Sequence, residues 1–334
     1  MTDRNDRSDR SNPDDGGTSR TKTLLTDGGL ARSGSSTVGD LRESVGNWRI
    51  VLYAVLVGLT IFFLIPIEAG LVTSFKTNAA VTRTAPYLPP GPGGFTLGKW
   101  AQAIEILGPG LVNSTLLAVP ATLLGALLGS LAAYGLTLVS WRGQIPILAL
   151  FVAGVFIPYQ AVLVPLSQFW SMVPLQQWLS PVWALPFFEP YHTDIVELIV
   201  THTAYGIPIC TVLFRGYYVG LSEEMIEAAK LDGASLTGIY RRVVLPLSGP
   251  MFAVTFIFQF TQIWNELLFA LILIGGAGTP SAPVTLSLVG LGASLEGVDF
   301  GLRMAGAFLT ALPTLLVFII FGDKFAQGVA GEAQ

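Results

Sequence analysis

EAAKLDGASLTGIYRRVVLP, residues 227–246, interrupts two long apolar runs with five charged side chains: Glu227, Lys230, Asp232, Arg241 and Arg242. Its pattern is that of two short helices. Ser222 is placed to cap the first, with Glu223 and Glu224 in the opening turn, where acidic groups favour the positive end of the helix dipole. That helix is expected to run through Asp232 and stop at Gly233, because glycine takes a left-handed conformation without a Cβ penalty. Ser235 can cap the second helix, and Pro246 is expected to end it. Leu236, Ile239, Tyr240, Val243 and Val244 recur at i, i+3, i+4, i+7 and i+8, which makes an apolar face. Such a face must be covered. It lies on the lipid surface, packs under its own bundle, or docks onto a soluble partner. Ala228 and Ala229, side by side, would let a partner's backbone come close.

The composition around this segment is that of a membrane protein. Of 334 residues 51% are hydrophobic and 12% charged, about half the charge of a soluble domain. Residues 1–49 hold eight basic and eight acidic side chains, which leaves ten and fourteen for the other 285 positions. That tail is too polar to form a core and reads as disordered. It shows no cationic n-region with a cleavage site, so the first apolar run is expected to stay as an uncleaved anchor, residues 50–75. Cys210 is the only cysteine, so no disulfide can form within the chain. With only His192 and His202 besides, no metal site is expected. The net charge of −4 offers no footprint for nucleic acid.

A bilayer core of about 30 Å needs roughly 20 apolar residues in a helix. Six stretches meet this: about 50–74, 111–139, 145–172, 196–214, 249–274 and 303–321. Pro120, Pro158, Pro165, Pro208 and Pro313 fall inside them and are expected as kinks. With the N-terminus cytoplasmic, the inner segments hold fourteen Lys and Arg and the outer ones four; without the tail it is six against four. In this orientation both termini and the polar segment face the cytoplasm. Residues 76–110 and 173–195 are then outer segments, and Trp170, Trp178 and Trp183 suit an interface. The expected organisation is an all-α membrane protein: tail 1–49, anchor 50–75, outer segment 76–110, core 111–325 with a polar loop at 216–248, and C-terminus 326–334.

The spacing Glu-Ala-Ala, three residues, Gly, nine residues, aliphatic, one residue, Leu-Pro is met by Glu227, Ala228, Ala229, Gly233, Val243, Leu245 and Pro246. It resembles the EAA loop of the permeases of binding-protein-dependent ABC importers, and LDGAS (231–235), LPLSGP (245–250), NSTLLA (113–118), LAAYGL (131–136) and WNE (264–266) resemble their maltose-type, carbohydrate-uptake branch. The likeness covers about residues 95–325. Val243 stands where Ile is more common, and Leu221-Ser222 where a proline often precedes the first helix. The resemblance implies a six-helix type I importer permease whose EAA segment is a coupling helix seated in a groove of a cytoplasmic ATPase. Glu227 would contact that ATPase, Gly233 would set the bend, and Ala228 and Ala229 would allow the close fit. It also implies an ABC ATPase dimer that binds ATP and magnesium, a second permease subunit and an extracellular solute-binding protein.

The chain offers no engine of its own. GGFTLGK (93–99) matches part of a phosphate-binding loop, but Trp100 stands where Ser or Thr would hold magnesium, and no strand pattern precedes it. FTLGKW resembles instead the outer segment before the second span of these permeases. No catalytic residues and no cofactor are expected in this chain.

Thr255, Gln259, Gln262 and Glu266, at i, i+4, i+7 and i+11, would share one helix face, with Asn265 off it. A glutamate within the bilayer costs about 2.5 kcal/mol or more, so it should face protein or water. The stripe either bonds neighbouring helices or lines a translocation path. Gly125 and Gly129, with Ala132 and Ala133 one turn on, allow a close helix contact, expected within the bundle. His202 is expected to be structural. The paucity of intramembrane charge fits a neutral, hydroxyl-rich solute, with aromatics such as Trp264 available to stack on sugar rings. The function expected is import of a sugar or related polyhydroxy solute across the cell membrane by alternating access. The alternatives are an ABC importer of amino acids or peptides, an ion-coupled secondary transporter, which would need paired intramembrane charges and inverted repeats, and a membrane scaffold.

Overall fold

Long apolar runs can satisfy their backbone in lipid only by closing helical hydrogen bonds internally, and the computed structural model, which describes residues 33–294 and 297–330, is built accordingly. In chain order the helices are α1 (Ser33–Ser74), α2 (Asn78–Arg83), α3 (Gly98–Thr137), α4 (Gln144–Val155), α5 (Tyr159–Met172), α6 (Leu175–Trp178), α7 (His192–Tyr218), α8 (Glu223–Leu231), α9 (Leu236–Ile239), α10 (Leu245–Leu247), α11 (Gly249–Trp264), α12 (Leu268–Leu273), α13 (Val284–Val289) and α14 (Phe300–Ala330). A two-residue hairpin pairs Ala293–Ser294 with Gly297–Val298. Among the described residues four helices are long and apolar enough to span a membrane, in α1, α3, α7 and α14, and six spans result if each of two bent pairs is one.

Several expected boundaries move. Helix α1 starts at Ser33, so residues 33–49, read as tail, are helical, while residues 1–32 lie outside the described part. Helix α3 starts at Gly98 rather than about 111 and runs for 40 residues, about 60 Å at 1.5 Å per residue, twice the hydrocarbon thickness. The outer segment therefore contributes its last third to a helix. The third span is broken: α4 and α5 meet at 100°. Proline disfavours the α conformation in the residue before it, and Pro158 sits at this break as the N-cap of α5, not inside a kinked span. The fifth span is broken too, at residues 265–267, between α11 and α12. Helix α14 continues to Ala330, past the expected start of the C-terminal tail at 326.

Residues 33–63 form a helical stretch by themselves, and every side chain from Trp48 to Phe63 is exposed. From Leu64 onward the helices form a bundle centred on α3 and α7. Gly129 lets these two meet backbone to backbone: a Cβ there would stand 2.4 Å from the Cβ of Cys210. The expected close contact is therefore internal at Gly129, while the missing Cβ of Gly125 faces open space.

Two apolar clusters fill the bundle. One joins Leu107, Leu117, Leu198, Phe260, Trp264, Phe269, Val284 and Leu302; the other, at the end that carries α8 and α9, joins Tyr134, Phe214, Tyr218, Ile226, Ile239, Tyr240, Val244 and Met251. The opposite end is tied by polar bonds. Lys99 pairs with Asp299, whose carboxylate also accepts from the Leu302 N–H at 2.9 Å. Burial alone would raise the Asp299 carboxyl, but Lys99 and that N–H outweigh it and hold it below the usual aspartate value. Asn113 donates to Pro280 O at 2.7 Å and Ala282 O at 3.1 Å, and Ser114 Oγ accepts from Val284 N–H at 2.9 Å. Lys76 is fully buried, yet its ammonium donates to Ala85 O at 2.7 Å and Pro86 O at 3.1 Å.

Candidate functional site

The charged segment forms as its caps dictate. Ser222 Oγ accepts from Met225 N–H at 3.3 Å and opens α8; Ser235 Oγ accepts from Gly238 N–H at 3.2 Å and opens α9. Between them Gly233 has φ +77°. The Gly233 N–H bonds Lys230 O at 3.0 Å and the Ala234 N–H bonds Ala229 O at 3.1 Å. These two bonds are the Schellman closure, which needs a left-handed residue between them and so a glycine. Pro246 does not end the second helix. Having no N–H, it cannot bond Arg242 O four residues back. The chain passes instead through a π turn, Tyr240–Val244, in which Leu245 N–H reaches Tyr240 O, and continues as α10 to Leu247. The break comes at Ser248, where the axis turns by 74° into α11.

The apolar face lies against the bundle: Ile239, Tyr240 and Val244 are buried, Val243 half-buried, and only Leu236 is exposed. Leu245 is half-buried and Pro246 exposed. The open surface belongs to α8. Glu227 and Ala228 are exposed and Ala229 half-buried; Ile226 is its one buried side chain, and Leu231 is 88% exposed.

The polar stripe divides. Thr255 and Gln259 are buried on α11, whereas Gln262 is exposed. Helix α11 ends at Trp264, so residues 265 and 266 do not continue its face. Asn265 folds back, its amide donating to Thr261 O at 2.8 Å. The Glu266 carboxylate turns onto the opening N–H groups of α12, those of Leu268 and of Phe269 at 3.0 Å. His202, buried, brings Nε2 to 3.6 Å from Glu266 Oε2 and lays its ring against Phe269. Trp264 is not available to a sugar: it is buried, stacks on Phe260 and donates its indole N–H to Thr310 O at 2.9 Å.

Gln259 points into a cavity of about 420 Å³ walled by the α4–α5 bend, α7 and α11, together with Tyr159, His202, Tyr205 and Gln262. The rings of Tyr159 and Tyr205 stack with centroids 4.4 Å apart, and Tyr205 Oη donates to Ile157 O, a carbonyl freed by the bend. Gly206 makes room for the Gln259 amide, since a Cβ there would lie 2.2 Å from its Nε2. Among the described residues that amide has no hydrogen-bond partner, although Gln259 is only 5% exposed. The cavity thus combines an aromatic platform with an unengaged amide, which can hold a small neutral polar molecule.

Sequence reasoning singled out Gln259 and Gln262 but missed the tyrosine pair, because it read 145–172 as one kinked span rather than two helices that meet at 100°. Pro158, fourteen residues into that run, was the available signal. GGFTLGK folds as an ordinary corner at the far end: Lys99 is committed to Asp299, and the Trp100 indole donates to Ser74 Oγ at 3.1 Å.

Comparison with known proteins agrees with this layout. A xylose/arabinose import permease protein of Haloferax volcanii is 52% identical over 303 residues, covering 90% of this chain and 98% of that protein. A probable ABC transporter permease protein of Pyrococcus horikoshii is 38% identical over 289 residues, covering 85% and 96%. A chain in the crystal structure of a bacterial ABC transporter for import of the acidic polysaccharide alginate shares the fold, with a TM-score of 0.62 at 18% identity, over 84% of this chain and 98% of that one. The family model described as "binding-protein-dependent transport system inner membrane component" matches residues 125–329, and the chain belongs to that family of multi-pass membrane transport subunits.

Proposed function

We propose that this chain is a permease subunit of an ABC importer that carries a pentose, or a sugar of similar size, into the cell by alternating access. The observation that carries the reading is α8: a short, capped helix offered to a partner on a corner that only Gly233 closes. In this reading a separate ATPase dimer, holding ATP and magnesium, seats α8 through Glu227, Ala228, Ala229 and Leu231. Val243, Leu245 and Pro246 shape the return into the bundle. Nucleotide-driven closure then favours one arrangement of the spans because the ATPase contacts α8 differently in the two states. The end carrying α8 is cytoplasmic. The C-terminal end of α14 lies on the same side, since Gly328 packs against Pro250 and Val254. With six spans the N-terminus lies there as well.

A second permease subunit completes the path, and an extracellular solute-binding protein delivers substrate to the opposite end. The cavity under Gln259 is a stage on that path. Gln259 and Gln262 offer amides to hydroxyls, and Tyr159 and Tyr205 offer a ring face. Thr255, buried with its hydroxyl unpartnered among the described residues, and Asn265, folded back on Thr261 O, lie outside the lining of this cavity, and Glu266 holds the α11–α12 joint. The sugar class rests on the relative at 52% identity and on the uncharged lining of the cavity.

Uptake of labelled xylose and arabinose by cells with and without this chain tests the reading. Loss of uptake with the gene, and its retention with an amino acid or peptide as solute, supports it. Transport by the purified polypeptide alone, or crosslinks that place residue 233 outside the cell, overturns it.

A further inference from the structure

A buried chain of hydroxyls fastens the second half of the coupling segment to the bundle. Ser130 Oγ on α3 lies 2.6 Å from Tyr218 Oη on α7 and 2.9 Å from Tyr240 Oη in the π turn. Ser248 Oγ, at the break, donates to Val244 O at 2.5 Å and lies 3.4 Å from Tyr218 Oη. Ser130, Tyr218 and Ser248 are fully buried and Tyr240 is 5% exposed. The protons run one way along the chain: the Ser248 hydroxyl, which donates to Val244 O, also faces Tyr218 Oη, Tyr218 donates to Ser130, and Ser130 to Tyr240. Two further bonds run the same way. Tyr134 Oη on α3 donates to Leu236 O at 2.9 Å, and Tyr217 Oη on α7 donates to Leu247 O at 2.7 Å.

Phenylalanine would fill these positions equally well as packing. A hydroxyl buried in an apolar cluster is costly unless bonded, and a fully bonded chain admits one register. Among the described residues, every side-chain hydrogen bond that leaves residues 236–248 for another helix ends on α3 or α7; none reaches α11 or α14.

We propose that Ser130, Tyr218, Tyr240 and Ser248 form a coupling latch: residues 236–247 move as one body with α3 and α7, and the joint that flexes during transport is the Ser248 turn into α11. These are positioning residues and touch neither solute nor nucleotide. The latch rests on the reading that α8 receives the ATPase stroke. Gly233, whose closure is internal to α8 and α9, acts as a fixed corner.

The test uses the assembled importer in proteoliposomes and reads solute imported per ATP hydrolysed for Tyr240→Phe, Ser130→Ala and Ser130→Thr. Tyr240→Phe removes one hydrogen bond of the chain and should lower the ratio about fivefold, the factor one neutral hydrogen bond contributes to an equilibrium, and Ser130→Ala, which removes two, should lower it at least as much. The double variant should be no worse than Ser130→Ala, because one link is shared, and Ser130→Thr should keep the wild-type ratio. ATP hydrolysis should persist, which a structural defect would abolish along with uptake. A wild-type ratio in Tyr240→Phe, or failure of that variant to assemble at all, overturns the latch. A wild-type importer that takes up no sugar refutes the importer reading instead.

Discussion

The two halves of the polar segment share twenty-odd residues and have opposite fates. The second half, with the stronger apolar periodicity, is the one that is covered: Ile239, Tyr240 and Val244 disappear into the bundle. The first half, α8, buries only Ile226 and leaves Leu231 open. The apolar face at Ile239, Tyr240 and Val244 therefore marks what the chain itself covers, while α8, amphipathic in its own right, keeps most of its surface open. Helix α8 has nine residues, too few to persist alone in water, where isolated helices below about 12–15 residues are marginal. Its caps at Ser222 and Gly233 stand in for the missing packing, each an interaction on the order of 1 kcal/mol.

That contrast can be broken most severely at the corner between the halves. Gly233→Pro replaces φ +77° by about −65° and removes the N–H that bonds Lys230 O. Uptake should fall to background while the protein stays in the membrane at normal level; normal uptake would show that the corner is dispensable. The next largest difference separates two apolar truncations. Ile239→Ala should lower stability by about 2–5 kcal/mol and reduce the amount of folded protein in detergent melts. Leu231→Ala, at an exposed site, should change melting within about 0.5 kcal/mol yet weaken co-purification with the ATPase. If both behave alike, the division into a covered and an offered half is wrong.

The smallest effect lies at the far end of the bundle and should leave the contrast untouched. Asp299 is held below its usual pKa, so its contribution is present above the unfolded value of about 3.9 and is lost as pH falls through the folded value. Wild type should exceed Asp299→Asn in stability by about 1 kcal/mol near neutral pH, and the two melting curves should converge below about pH 4. Because Asp299 is remote from α8, the ATP requirement of uptake should not change.

Much of this was legible because helix ends are local chemistry. Ser222, Gly233 and Ser235 determine the two helices from their own side chains and φ preferences, and the structure shows both caps and the closure. Breaks within spans were not legible in the same way. Residues 145–172 and 249–274 are apolar enough to be continuous; Pro158 signals a kink but not a turn of 100°, and composition does not reveal that Glu266 is spent on two backbone N–H groups. The stripe at 255, 259, 262 and 266 assumed a helical period that ends at Trp264. The tyrosine pair and the hydroxyl chain depend on residues 30 to 110 positions apart, which no local pattern brings together.

Helix α1 carries a different implication. Its most apolar window, within Trp48–Ser74, has no residue buried by the rest of the chain. Such a stretch can be stable in lipid without a tertiary partner, since its interior backbone groups are bonded within the helix and most of its side chains favour hydrocarbon. During synthesis it can leave the translocon and dwell in the bilayer while α3 and α7 are still being made. Assembly of the bundle is then a later, separate event among helices already inserted, and a ribosome stalled after α1 should leave behind an inserted, protease-protected stub.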